Sequence, residues 1–241
     1  MPAPSTAFVL GAGLGTRLRP LTRDCPKPLL PVAGRPMITH AFDRLIACGI
    51  RQIIINTHHA AHRYAEAFPE GRYLGIPLTF VHEPVLLDTG GGLKNIQSLI
   101  PRNEPLLVHN GDILAGLPLE PMLQAHAAVR PPATLALRSQ GHPRNVALAA
   151  DGAITDFRGL RGAADPLHLF AGIYLIEPFV LAQIPPGQPV SIIDTFLELI
   201  RLGTPPRGVV VDDGPWHDLG TLEEYEKIRD RGIERPCTQN P

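Results

Sequence analysis

FVLGAGLGTRLRPLTRDCPKPLLPV, residues 8–32, is the stretch on which the reading of this chain turns. An apolar run enters a cluster of three glycines, Gly11, Gly13 and Gly15. Arg17, Arg19 and the triplet Pro26-Lys27-Pro28 come next, in place of an amphipathic helix. A glycine-rich turn directly after a strand lets backbone N–H groups converge on an anion, and cations close behind it supply charge. Such a loop suits a phosphate better than a neutral ligand. Two nucleotide motifs can be tested against the letters. A P-loop requires Gly-x-x-x-x-Gly-Lys-Ser/Thr, and no Lys followed by a hydroxyl residue succeeds these glycines. A dinucleotide fingerprint requires Gly-x-Gly-x-x-Gly and an acidic residue after the second strand. This loop is Gly-x-Gly-x-Gly, and the run at 51–56 ends in Asn56. By themselves the glycines fit a plain turn flanked by solvated cations equally well.

Outward from this loop, short apolar runs alternate with helix-period segments, the pattern of a mostly parallel sheet with helices on its faces. Strands are predicted at 6–11, 51–56, 77–82 and 104–109. Ile38, Ala41, Phe42, Leu45 and Ile46 recur at helical spacing, with Gly49 as the stop. Further helices are expected at 58–68 and at 92–99, the second opened by Thr89-Gly90-Gly91-Gly92. After Gly111-Asp112 the runs at 133–138, 146–151, 153–158 and 169–176 read as strands that add antiparallel pairing. Asp151-Gly152 predicts a two-residue hairpin turn. A helix at 191–202, a strand at 208–213, a loop at 214–221, a helix at 222–231 and a polar tail at 232–241 complete the reading. The expected fold is α/β, a single three-layer αβα domain on a mixed, mostly parallel sheet.

The formal net charge of the 241 residues is -1, so no basic field collects nucleic acid, and no nucleic-acid partner is expected. The three cysteines, Cys25, Cys48 and Cys237, lie far apart with no paired spacing, which fits a reducing compartment and no zinc framework. No secretory leader pattern and no membrane-length apolar run is legible, so the expected location is the cytoplasm, without a membrane partner.

Four separate stretches, LGAGLGTRLRPLT with PKP (10–28), LDTGGGLKN (87–95), HNGDIL (109–114) and WHDLGT (216–221), together resemble the signature of the sugar-1-phosphate nucleotidyltransferases. The resemblance runs from residue 6 to residue 228. Its one departure in the first stretch is Gly11, where an alanine is common, which reads as a small gain in backbone freedom. The resemblance implies a Rossmann-like nucleotidyltransferase fold, with residues 6–112 as the nucleotide-binding half and 113–228 as the sugar-phosphate-binding half. It also implies transfer of a nucleotidyl group from a nucleoside triphosphate to a sugar 1-phosphate, with release of pyrophosphate. The attacking oxygen belongs to a phosphate that is already anionic, so positioning and charge neutralisation carry the catalysis and no side-chain base is required.

By the same resemblance Arg17 holds the triphosphate and the leaving pyrophosphate, and Lys27 sits near the α-phosphate. Gly11, Ala12, Gly13, Gly15 and Thr16 form the nucleotide loop. Glu83, Thr89 and Gly90 lie near the nucleobase, although Glu83 alone reads equally well as a solvated loop carboxylate. Asp112, read also as catalytic, and Asp218 bind one Mg²⁺, which needs few protein carboxylates because waters and phosphate oxygens complete its shell. Gly91, Arg158 and Gly172 face the sugar phosphate. Where many relatives carry Glu-Lys-Pro, this chain has DFRG (156–159), so Arg158 or Arg161 stands in for the missing lysine. The narrow substrate expectation is UTP with N-acetylmuramate 1-phosphate, a step of peptidoglycan recycling. The alternatives are guanylyl transfer to mannose 1-phosphate or a heptose 1-phosphate, a catalytically silent nucleotide-sugar-binding regulator, and a dehydrogenase. The oligomeric state is not legible in the sequence.

Other residues receive plainer readings. His58, His59 and His62 are a solvated helix start more readily than a metal site. Trp216 packs its loop, and Cys25, flanked by cations, is expected to have a lowered thiol pKa.

Overall fold

In a computed structural model of the protein, residues 3–160, 162 and 165–231 are described. Arg161, Cys237 and the tail at 232–241 lie outside the described residues. The principal strands of the first half are β1 (Thr6–Leu10), β2 (Gln52–Thr57), β3 (Ile76–His82), β4 (Leu106–Asn110) and β5 (Ile113–Ala115). Those of the second half are β6 (Ala133–Arg138), β7 (Val146–Leu148), β8 (Ile154–Phe157), β9 (Leu167–Ile176), β10 (Arg207–Val210) and β11 (Trp216–Asp218). The main helices are α1 (Ile38–Ala47), α2 (His62–Ala67), α3 (Asp88–Asn95), α4 (Glu120–Val129), α5 (Ile192–Arg201) and α6 (Leu222–Ile228).

The sheet runs β3-β2-β1-β4-β9-β6-β10, parallel except for β9, which is antiparallel to both of its neighbours. The β7–β8 hairpin joins it through the first residues of β9. Period-2 alternation in the central strands builds two cores. Ala7, Val9, Ile53, Ile55 and Leu107 pack with Ile38, Phe42 and Leu45 of α1 and Tyr64 of α2. Phe8, Ile54, Leu106 and Val108 pack on the other face with Leu93 of α3 and with Phe196 and Leu199 of α5. These are the three layers expected from the sequence.

Four local readings are corrected. Thr89-Gly90-Gly91-Gly92 is not a loop that opens a later helix; it lies inside α3. The segment read as a loop at 214–221 contains β11, which pairs antiparallel with β5 just after Gly111-Asp112. The turn at Asp151-Gly152 is a three-residue loop: the Ala149 N–H donates to the Ala153 carbonyl at 2.9 Å, and of the pair only Gly152 has a positive φ, 84°. The sequence reading also passed over α4, whose first-turn proline, Pro121, and alanine-rich face weaken the 3.6-residue period at 119–129.

Within β9 the pairing with β6 shifts register between Phe170 and Tyr174, and Gly172 sits at that bulge with φ 74°. A Cβ there would run into Ile113 Cδ1 and the side chain of Asn110. Gly172→Ala is therefore expected to destabilise the fold by about 1–3 kcal/mol, the usual size of a strained non-glycine residue. Urea unfolding of the two proteins measures it, and an unchanged midpoint would show that the bulge relaxes freely.

Candidate active site

The glycine loop is fixed by what lies under it. Gly15 takes φ 60°, and Thr16–Leu18 forms one 3₁₀ turn after it. Thr22 Oγ1 donates to the Gly15 carbonyl at 2.7 Å. Leu18 is 1% exposed and packs with Leu30, Val32, Met37, Leu114, Leu219 and Tyr225 in a small third core. Burying Leu18 turns its neighbours Arg17 and Arg19 outward. That third core contains residues of β5, the segment after β11 and α6, so it joins the loop to the ends of two other motifs.

β5 and β11 bring the two distant carboxylates together. Asp218 is paired in register with Ile113, the residue after Asp112, and the Leu219 N–H donates to the Asp112 carbonyl at 3.3 Å. Burial, and next the charge of Asp112, push the Asp218 carboxyl above its ordinary range, against the pull of Lys27 and Arg17. Lys27 is buried, and its Nζ lies 2.7 Å from Asp112 Oδ2. A Cβ at Gly220 would lie 3.0 Å from Asp218 Oδ1 and 3.2 Å from an Arg17 terminal nitrogen, which sets the guanidinium beside the second carboxylate. No group of three or more His, Cys, Asp or Glu side chains gathers to hold a metal among the described residues. Asp218, whose charge is disfavoured by burial and by Asp112, forms with it a hard-oxygen donor set that a divalent cation relieves, and magnesium needs no more from a protein.

Two cavities meet at this pair. One, of about 490 Å³, lies between the glycine loop and the start of α3, and Ala12, Gly13, Lys27, Glu83, Thr89 and Asp112 line it. The other, of about 410 Å³, is bounded by the β7–β8 hairpin and β9, with Asn145, Arg158, Gly172, Trp216 and Asp218 in its wall. Asn110 lines both. Each cavity is therefore floored by one of the two aspartates.

Most sequence-predicted residues come together here, with distinct local placements. Gly11 is buried beneath the first cavity, Gly15 and Thr16 follow at the loop, and Arg17 stands exposed at the edge. Gly90 and Gly91 are buried within α3. Their N–H groups donate to the Val190 carbonyl at 2.8 and 3.0 Å, and a Cβ on either would meet backbone of residues 188–192. The close approach that these glycines permit is to another segment of the chain. Glu83 is 0% exposed, which overturns the solvated-loop alternative; its Oε1 accepts from Asn56 Nδ2 at 2.8 Å and its Oε2 from the Leu87 N–H at 3.1 Å. Arg158 lines the second cavity with φ 59°, and its neighbour Arg161 falls outside the described residues.

The sequence reading missed Asn110, Asn56 and Asp88. Asn110 adjoins Gly111-Asp112 and was within reach of the motif; Asn145, on the hairpin, carries no local signal. Asp88 lines the first cavity with φ 59°, and its carboxylate accepts from the Thr89 N–H at 2.6 Å. Cys25 departs from expectation: burial pushes its thiol up, and the nearby Arg63 only partly opposes this. His58 and His59 are not a solvated helix start, because their rings bond the Glu83 and Thr22 carbonyls at 2.7 and 2.9 Å. Trp216 does hold its segment, its Nε1 donating to the Ala171 carbonyl at 3.0 Å, and it also walls the second cavity.

Three residues before Asp112, His109 is fully buried in β4, and burial pushes its imidazole from 6.5 down to about 4, against its bond to the Asn110 carbonyl. The folded protein then binds fewer protons than the unfolded chain between those values. This stability is complete above pH 6.5 and is lost as pH falls through 4, by about 3 kcal/mol. Urea midpoints from pH 7 to pH 4.5 should fall in the wild type and flatten in His109→Gln; equal slopes would remove His109 as the cause.

A family model described as "Nucleotidyl transferase" matches residues 6–231. A mannose-1-phosphate guanylyltransferase of Mycobacterium tuberculosis is 37% identical over 225 residues, covering 91% of this chain and 62% of the relative. An N-acetylmuramate alpha-1-phosphate uridylyltransferase of Caulobacter vibrioides is 33% identical over 234 residues, covering 90% of this chain and 93% of the relative. The chain thus spans less than two thirds of the mycobacterial relative and nearly all of the other. Among solved structures, HddC from Yersinia pseudotuberculosis complexed with GMP-PN superposes with a TM-score of 0.77 at 19% identity, covering 94% of this chain and 99% of that one. An inositol-1-phosphate CTP transferase from T. maritima gives 0.77 at 16% identity, covering 97% and 99%. These two likenesses establish the fold.

Proposed function

This chain belongs to the nucleotidyl transferase family, and on that premise we propose that it joins a nucleoside triphosphate to a sugar 1-phosphate, releasing pyrophosphate and an NDP-sugar. The observation that carries the proposal is the pairing of β5 with β11, which sets Asp112 and Asp218 side by side where two cavities meet. One cavity takes the triphosphate and the other the sugar phosphate.

The glycine loop presents backbone N–H groups to the nucleotide, and Ala12 and Gly13 line the cavity where its base and ribose sit. Arg17, with its planar fork, grips the β- and γ-phosphate oxygens and offsets charge on the departing pyrophosphate. Lys27, held against Asp112, is placed for the α-phosphate. Arg158 replaces the family's usual lysine on the acceptor phosphate, and Gly172 lies in the wall of the same cavity, where the sugar sits. Asp112 and Asp218 would hold Mg²⁺, whose charge would offset the repulsion between the two phosphates. An oxygen of the sugar phosphate attacks the α-phosphorus, the bond to the β-phosphate oxygen breaks, and no proton transfer is required of the protein. Nucleoside triphosphate as substrate assigns the reaction to the cytoplasm.

UTP with N-acetylmuramate 1-phosphate is the substrate pair we favour, because the Caulobacter vibrioides uridylyltransferase matches this chain over nearly its whole length. GTP with mannose 1-phosphate is the second reading, favoured by the higher identity to the mycobacterial guanylyltransferase. A silent regulator is disfavoured by the retention of Arg17, Lys27, Asp112 and Asp218 around one point. Pyrophosphate release across four nucleoside triphosphates crossed with N-acetylmuramate, mannose, heptose and glucose 1-phosphates decides. Release with UTP and N-acetylmuramate 1-phosphate supports the first reading, release with GTP and mannose 1-phosphate the second, and silence throughout counts against transfer.

A further inference from the structure

The first cavity is built from two loops that are far apart in sequence, and a chain of buried hydrogen bonds ties them to each other. The Gly11 N–H donates to Asn56 Oδ1 at 2.8 Å, and Asn56 Nδ2 donates to Glu83 Oε1 at 2.8 Å. The Leu87 N–H donates to Glu83 Oε2 at 3.1 Å, and the Tyr64 hydroxyl donates to the Gly11 carbonyl at 3.0 Å. Asn56, Glu83 and Tyr64 are 3%, 0% and 1% exposed. Glycines make room for the network. A Cβ at Gly92 would lie 3.0 Å from both Asn56 Nδ2 and Glu83 Oε1, and one at Gly11 would lie 2.7 Å from the Tyr64 hydroxyl and 2.7 Å from the Asn56 carbonyl. Gly11 therefore adds no freedom to the loop: both of its backbone polar groups are held.

We infer that Asn56, Glu83 and Tyr64 are positioning residues that set the phosphate-side loop at Gly11 and the base-side loop at Leu87 in one fixed relation for the nucleotide; the inference rests on the nucleotidyl-transfer reading. The order of donors and acceptors explains the residue types. Glu83 must accept at both oxygens, which glutamine does not do. Asn56 must accept from one side and donate to the other, which aspartate does not do. A buried donor left without its acceptor is costly, so either isosteric change opens the link between the loops.

The reversed pair supplies the test. In Asn56→Asp two carboxylates face each other, and in Glu83→Gln an amide NH₂ faces a donor. In the double variant, the carboxylate introduced at 56 accepts from Gly11 and from the amide introduced at 83, whose oxygen still accepts from Leu87. Each single variant should raise the nucleoside triphosphate KM by about tenfold or more, while the sugar 1-phosphate KM moves less than about twofold. The double variant should return within about threefold of wild type. Tyr64→Phe, which loses only the hydroxyl, should shift the same KM in the same direction. Amide hydrogen exchange over 8–16 and 84–92 is read alongside, with both segments loosening in either single variant and tightening again in the double. A double variant as impaired and as loosened as the worse single, or singles indistinguishable from wild type, would overturn the inference. A rise in both KM values in proportion to lost thermal stability would overturn it too, since it marks general structural support. Absence of turnover from the wild type counts against the functional reading, and the exchange measurement still decides the network.

Discussion

Asp218→Asn is expected to lower turnover by at least about a thousandfold and at the same time to raise the resistance of the fold to urea. The two effects have one cause. The Asp218 carboxyl is pushed up by burial and by the charge of Asp112 across the β5–β11 pair. In the absence of a cation the folded protein therefore holds a carboxylate in a place that disfavours it, and a neutral amide of the same shape removes that penalty. The amide would also remove half of the donor set proposed for Mg²⁺. Asp112→Asn is expected to lose activity to a similar extent without the gain in stability, because Asp112 is already compensated by Lys27 at 2.7 Å. Turnover with saturating Mg²⁺ and urea unfolding without metal, run on the three proteins, check both signs. Full Mg²⁺-dependent activity in either variant would remove that residue from the metal site.

Arg17→Ala is expected to cost about 10²- to 10³-fold in turnover, the usual size of one lost preorganised phosphate contact. Its stability should stay within about 0.5 kcal/mol of wild type, because the side chain is exposed. Lys27→Ala should lose a comparable factor and also destabilise the fold, since it leaves Asp112 half-buried beside Asp218 without its counter-ion. The contrast separates a residue that serves the transition state alone from one that also holds the resting site together. Arg17→Lys should recover little, as a point charge does not reproduce a bidentate grip on two phosphate oxygens. Steady-state kinetics and thermal melts on the three variants suffice, and an active Arg17→Ala enzyme would sink the assignment of the glycine loop to the triphosphate.

The parts of this architecture that were legible in the sequence are those whose signal is local. Ile53, Ile54 and Ile55 announce a strand buried on both faces, and α1 shows its apolar stripe at a spacing of three and four. The loop at 11–28 combined glycines, cations and prolines in an order that few other functions require. The two carboxylates lie in separate motifs, and only the family resemblance paired them. What joins them is β11, three residues long behind Gly214-Pro215, and its pairing with β5 is a long-range event with no periodicity to betray it. Glycine conceals its partner for a related reason. Gly11 and the run Gly90-Gly91-Gly92 advertise close approach, but the sequence does not say to what. In the fold, Tyr64, Asn56, Glu83 and the backbone at 188–192 fill those spaces. Glu83 read equally well as a contact to the base and as a solvated carboxylate, because burial of a charge depends on partners that only tertiary structure supplies.

The central proposal is that Asp112 and Asp218 would hold one cation that serves both substrates. Mn²⁺ substituted for Mg²⁺, with ³¹P relaxation recorded on a non-hydrolysable nucleoside triphosphate analogue and on the sugar 1-phosphate in the ternary complex, tests it directly. The arrangement of the two cavities requires strong, comparable broadening of the α-phosphate and the sugar phosphate resonances, abolished in Asp218→Asn. Broadening of one substrate alone, or broadening that survives that substitution, would contradict it.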